Sequence, residues 1–97
     1  MKEVGEVFEF QWDRGNIGKN KKHKVEDRES EEPFFDEDKI IHKDIFHSKK
    51  EERFILIGKT KKGRLLYIVF TKRNSKFRTI SARDINKKEV QIYEKAA

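Results

Sequence analysis

Cysteine is absent from this 97-residue chain, and proline, tryptophan and methionine occur once each. Without thiols there are no disulfides and no thiolate metal sites, and a reducing compartment is permitted. Long apolar runs are missing too. The longest, Leu65-Leu66-Tyr67-Ile68-Val69-Phe70, is far short of a membrane span, and the opening MKEVGEVFEF carries acid where an export signal is apolar. Nothing here directs export or insertion, so cytoplasm is the expected location. Also lacking are a Gly-rich phosphate loop, a serine-nucleophile motif and HExxH. GKTKKGR resembles the tail of a phosphate loop but lies between two predicted strands and is set aside. The histidines are His23, His42 and His47. His42 and His47, five apart on a predicted strand, fall on opposite faces without a dense acidic set, which does not make a zinc site.

What the chain has is charge. Charged residues make up 43% and hydrophobic ones 34%, a ratio that would leave the chain unfolded if its apolar residues were scattered; eight Phe and clustered Ile, Leu and Val predict a small core instead. The length suits one domain, residues 1–97. The net charge of +6 is divided unevenly, −4 over residues 1–47 and +10 over residues 48–97. A basic C-terminal half suits a polyanion such as RNA or DNA, because neutralising phosphates releases counterions, while the acidic half would be repelled by it. Two partners of opposite charge are one economical explanation.

In VFEFQWD, residues 7–13, aromatics recur at every second position, the period of a strand with one buried face. Asp13 can cap a short polar helix through RGNIGKNKKHK, which Gly15 and Gly18 weaken. EDRESEEPFFDED, residues 26–38, holds eight acids, one base and Pro33, and predicts a second short helix that ends early or bends at the proline. Four strands follow at 39–46, 53–58, 65–70 and 77–83, separated by turn-forming loops, so neighbours should pair antiparallel as a meander. The run at 65–70 does not alternate, as fits a central strand covered on both faces. Asn86 and Glu89 have capping-box spacing, flanked by Ile85 and Val90 as a hydrophobic staple, which places a last helix over Lys87 to Lys95. The expected architecture is α+β: about five antiparallel strands, two N-terminal helices and a short C-terminal one.

Alternation along 77–83 sets Arg83 and Arg78 on opposite faces unless a bulge intervenes. Arg83, at the strand end, can reach over the rim of the sheet and meet a phosphate bidentately, or can make an ordinary surface salt bridge. Glu89 at the third helical position reads as cap support before it reads as a general base. Tyr93, on the same helical face, is core or a base-stacking ring, with core favoured. His23, after Lys19, Lys21 and Lys22, is the best of the histidines as an RNA contact, though a solvated helix end is equally compatible.

The ordered set Phe10-x-Trp12-Asp13, Asn20-x-Lys22-His23-x-Val25, Arg53, Gly58, Gly63-Arg64, Thr71-x-Arg73, Ile80-Ser81-Ala82-Arg83, Glu89 and Tyr93 resembles the BrnT family of toxins from type II toxin–antitoxin systems, over residues 8 to 94. The resemblance implies a small fold similar to RelE-type ribonucleases and RNA cleavage without a metal or cofactor, inhibiting translation and growth. It also implies neutralisation by a BrnA-type antitoxin, a DNA-binding ribbon-helix-helix protein, in a complex of two toxins and two antitoxins. Carried onto this sequence, Arg64 and Arg83 are the expected catalytic residues, followed by Glu52, Arg53 and Tyr93, with Lys22, His23, Arg73 and Arg78 as RNA contacts. Pro33 and the acidic tract at 26–38 stand where the family usually has a more regular, less charged helix. Two other readings compete: a non-catalytic basic nucleic-acid-binding module, and an adaptor whose acidic segment holds a basic partner.

Overall fold

Four strands pair in chain order as one antiparallel sheet: β1 (Ile40–Lys43), β2 (Phe54–Lys59), β3 (Leu65–Arg73) and β4 (Lys76–Asp84). The computed structural model describes residues 8–47 and 49–96. β3 and β4 are each longer than expected. They continue to a two-residue turn at Asn74 and Ser75, whose φ angles of 52° and 67° give the twist that matches a tight hairpin. β1 is shorter than expected, because Asp44 accepts the Phe46 N–H at 3.2 Å and turns the chain.

Among the described residues the expected fifth strand is not formed. Of residues 7–13, Val7 lies outside the described residues, and only Phe10 bridges β4, in parallel with Phe77. Gln11 N–H donates to the Phe77 carbonyl and Phe77 N–H to that of Glu9, each at 2.8 Å. Pairing stops there because side chains occupy the rest of that edge: Asn16 donates to the Thr79 carbonyl (3.1 Å) and Asn20 accepts from the Ala82 N–H (3.0 Å). The aromatic face still works as expected, since Phe8 and Phe10 pack on the core. Trp12 donates its indole N–H to Glu31 at 2.7 Å.

The two N-terminal helices are also corrected. Residues 14–24 form turns and a 3-10 stretch at Lys19–His23, bracketed by Gly18 (φ 67°) and Lys24 (φ 61°) in the left-handed region, which no α-helix crosses. The second is a true but short helix, α1 (Asp27–Glu31), passing into a 3-10 turn at Glu32–Phe35. Pro33, lacking an N–H, stands in the opening positions of that turn and ends the α-helical ladder, so the expected early stop is met. The C-terminal helix, α2 (Lys87–Ala96), begins as its sequence predicts: Asn86 N–H donates to Glu89 and Glu89 N–H to the Asn86 side chain, both at 2.9 Å.

Both faces of the sheet are covered, which explains the unbroken apolar run in β3. On one face Leu56, Leu66, Ile68 and Phe70 pack beneath Val25 and Phe34. Phe34 is the hub, with ring centroids 5.0–5.1 Å from Phe10, Phe70 and Phe77; its burial alone is worth about 2–3 kcal/mol. On the other face Ile55, Ile57 and Tyr93 of α2 form a second cluster with Tyr67 and Val69 at its margin. Gly58 lets the 3-10 turn settle on β2, since a Cβ there would lie 3.0 Å from both the carbonyl oxygen and Cβ of Pro33.

Candidate functional site

The pairing of β3 with β4 slips between Val69 and Phe70: Val69 faces Ser81, but Phe70 faces Thr79, leaving Ile80 as an extra residue. Strand parity reverses across such a bulge. Arg83 opposite Tyr67 and Arg78 opposite Thr71 therefore share the face that carries α2, together with Arg73. Arg53, which precedes Phe54 at the start of β2, extends to the same side by alternation. Asn16 and Asn20 bond the backbone on either side of Ile80, so the bulge is fixed by the fold.

Two arginine centres result on this face, roughly 15 Å apart along β4 at ~3.3 Å per residue. At the first, Arg83 spans three partners. It makes a fork to Glu89 (Nη1 to Oε1 3.0 Å, Nη2 to Oε2 2.9 Å), donates to the Asp84 carbonyl at 2.9 Å, and lies over the Tyr67 ring at 4.0 Å. These use three of its five N–H groups. Burial pushes the Glu89 carboxyl up, but the hydrogen bonds from Arg83 and the Asn86 N–H, with the Arg83 charge, hold it below the ordinary value. Burial and the nearby Glu89 raise the Tyr67 hydroxyl.

The second centre gathers Arg53, Arg73 and Arg78 around two carboxylates. Arg73 forks onto Glu51 (2.5 and 3.1 Å), and Arg78 onto Asp13 (2.8 and 2.9 Å) with Gln11 at 3.3 Å. Glu51 is held low by its bond from Arg73, against slight burial, and further by the charges of Arg73, Arg53 and Arg78. Asp13 is held low mainly by Arg78, and Arg73 contributes. Gly15 makes room for this grip: a Cβ there would come within 2.4 Å of the Arg78 guanidinium.

Comparison with known protein families decides what this architecture belongs to. The family model described as "Ribonuclease toxin, BrnT, of type II toxin-antitoxin system" matches residues 12–89. The chain belongs to the BrnT family. Curated proteins gave no match. Membership makes this BrnT chain a ribonuclease toxin of a type II system, with RNA as its substrate and an antitoxin as its partner. Among the described residues no helix is long and apolar enough to cross a membrane, and no group of three His, Asp or Glu is placed to hold a metal ion.

The residues singled out from sequence divide between the two faces of the sheet. Arg53, Arg73, Arg78 and Arg83 share the α2 face. Tyr93 is on that side but buried, 5% exposed, its hydroxyl donating to Asp36 at 2.6 Å; burial and then Asp36 raise its pKa strongly. Arg64 lies on the opposite side, where it donates to Asp84 (2.6 Å), Glu29 (3.1 Å) and the carbonyls of Lys24 (2.8 Å) and His23 (3.3 Å). That is four of its five N–H groups in one clamp joining the 3-10 stretch, α1 and the sheet. Glu52 is exposed and pairs with Lys43 at 3.0 Å. Lys22 and His23 are exposed on the 3-10 stretch, on the Arg64 side. Tyr67, Asp13 and Glu51 are not legible from sequence as parts of an arginine site; each is identified by its arginine partner, which lies 16 to 65 residues away in the chain.

Proposed function

We propose that this BrnT toxin binds RNA across the α2 face of its sheet and cleaves it without a metal ion, with Arg83 at the scissile phosphate. The observation that carries this reading is the bulge at Ile80, which collects Arg73, Arg78 and Arg83 on one face. The 2′-oxygen attacks the adjacent phosphorus as its proton passes to water, the bond from phosphorus to the 5′-oxygen breaks and that oxygen takes a proton from water, and the charge that gathers on the phosphorane oxygens is met by a guanidinium. Arg83 suits this role because Glu89, Tyr67 and the Asp84 carbonyl fix its plane while two N–H groups stay uncommitted. Glu89 acts as its positioning residue. Arg53, Arg73 and Arg78 hold flanking phosphates, and Lys22 and His23 extend the contact only if the strand passes round the sheet edge. Arg64 is assigned the scaffold role its clamp supports, and Glu52 and Tyr93 are given no part in bond cleavage. Growth arrest through loss of translation in the cytoplasm, and neutralisation by a BrnA-type antitoxin in a 2:2 assembly, complete the proposal.

A second reading, RNA binding without cleavage, is favoured by one observation. The acid–base groups nearest Arg83 are committed, Glu89 as a carboxylate and Tyr67 with a raised hydroxyl. Purified protein incubated with RNA in EDTA separates the two. Metal-free cleavage is expected, falling ~10²–10³-fold in Arg83→Ala, the loss typical of removing one donor to a developing oxyanion. Wild-type cleavage by a folded Arg83→Ala variant would overturn the assignment of Arg83. No cleavage by the wild type, with RNA still bound, would leave the binding module. Induction of the protein in cells, with and without a neighbouring ribbon-helix-helix gene, tests the toxin–antitoxin arrangement.

A further inference from the structure

Between the β1–β2 connection and the end of β3 lies an open hollow of about 770 Å³, lined by Phe46, His47, Lys49, Lys50, Glu51, Arg53 and Arg73. Four permanent cations face one carboxylate there, and that carboxylate is already bound to Arg73. On the wall stands an aromatic ring, Phe46, which is 80% exposed. An exposed Phe in so charged a setting is not core, and its presentation is built. Asp44, 8% exposed, accepts the Phe46 N–H (3.2 Å) and pairs with His47 Nδ1 (3.0 Å), while its own N–H donates to the Arg53 carbonyl (2.8 Å). The turn therefore fixes the backbone from which the exposed ring borders the hollow.

An aromatic platform beside clustered lysine and arginine is what a nucleotide with an unpaired base requires: the ring stacks on the base and the cations meet its phosphate. A protein partner would need an apolar centre, and among the described residues Phe46 is the only apolar side chain lining this hollow. We propose that the hollow is a subsite for one unpaired nucleotide of the RNA, flanking the scissile bond, with Phe46 stacking on its base and Lys49, Lys50 and Arg53 gripping its phosphate. The inference rests on the RNA-binding reading above and adds to it a selection for single strands, since a base inside a duplex has no free face to offer.

The test is the affinity of wild type, Phe46→Ala and Phe46→Trp for a short 2′-O-methyl oligoribonucleotide, which cannot be cleaved, as a single strand and in duplex form. Phe46→Ala should weaken single-strand binding roughly 5- to 150-fold, the range for loss of one stacked base, and leave duplex binding unchanged. Phe46→Trp should retain single-strand affinity and add a fluorescence that the oligonucleotide quenches. Replacing Lys49 and Lys50 by Gln should flatten the salt dependence, by about 0.7 in slope for each phosphate no longer neutralised. Unchanged single-strand affinity in Phe46→Ala overturns the subsite, and so does equal weakening for both forms, or an effect confined to antitoxin association. If Arg83→Ala still cleaves while Phe46→Ala loses single-strand affinity, the scissile site has been misplaced and the subsite stands.

Discussion

Replacing Arg64 by alanine should unfold this protein more readily before it touches chemistry. The wild-type side chain makes four hydrogen bonds. Its pair with Asp84 involves a carboxylate that is 65% exposed and is worth about 0.5 kcal/mol. Glu29 is better shielded, 24% exposed, and its bond is worth about 1 kcal/mol. The carbonyls of His23 and Lys24 lose a charged donor at about 1 kcal/mol each, water recovering part of that. The whole comes to about 3 kcal/mol. A chain of 97 residues has an unfolding entropy of ~200 cal/mol/K, so the midpoint should fall by about 15 °C in a thermal melt followed by circular dichroism. RNA cleavage assayed well below that lowered midpoint should stay within about threefold of wild type, because the guanidinium lies on the face away from Arg83. An Arg64→Ala protein with an unchanged melting curve and ~10²-fold less cleavage would refute this, and would put Arg64 at the phosphate as the family resemblance implies.

Three further outcomes can be checked together. Gly58→Ala forces a methyl to within 3.0 Å of the Pro33 carbonyl and should cost ~1–3 kcal/mol by overpacking, seen as a lower denaturation midpoint in urea. Glu51, Asp36, Asp84 and Glu89 all have lowered pKa values, so their contribution is full above the unfolded carboxylate range and is lost as pH falls below about 4.5; Glu89→Gln should reduce the acid-side slope of stability against pH. The Tyr93 hydroxyl is raised, so its contribution is present below the unfolded tyrosine value of about 10 and fades as pH climbs above it; Tyr93→Phe should flatten that alkaline decline in a melting series.

The parts of the molecule legible in its sequence are those governed by one element at a time. The meander shows in its turn residues, α2 in the Asn86–Glu89 spacing, and the central strand in its unbroken apolar run. The early end of α1 follows from Pro33 lacking an N–H. What is not legible depends on a second element. Asn16 and Asn20 give no local sign of their role until the backbone of β4 is beside them; there their side chains take hydrogen bonds that a fifth strand would have used, while Asp13, expected as a helix cap, holds Arg78. Arg64 is singled out by the family resemblance alone, and nothing local shows that carbonyls 40 and 41 residues earlier accept from its guanidinium. Phe46 looks like the end of a strand, and only the Asp44 turn reveals it as exposed. Strict alternation puts Arg78 across the sheet from Arg83, and a bulge can be seen only once the partner strand's register is known.

That bulge makes the disposition of the guanidiniums a matter of strand register and not of spacing along the chain. Excising Ile80 alone would close the bulge and leave Arg78 four residues from Arg83, still on its face and still opposite Thr71. A β4 one residue shorter would then present the same guanidiniums, and a sequence comparison made without a gap at this point would miss the equivalence.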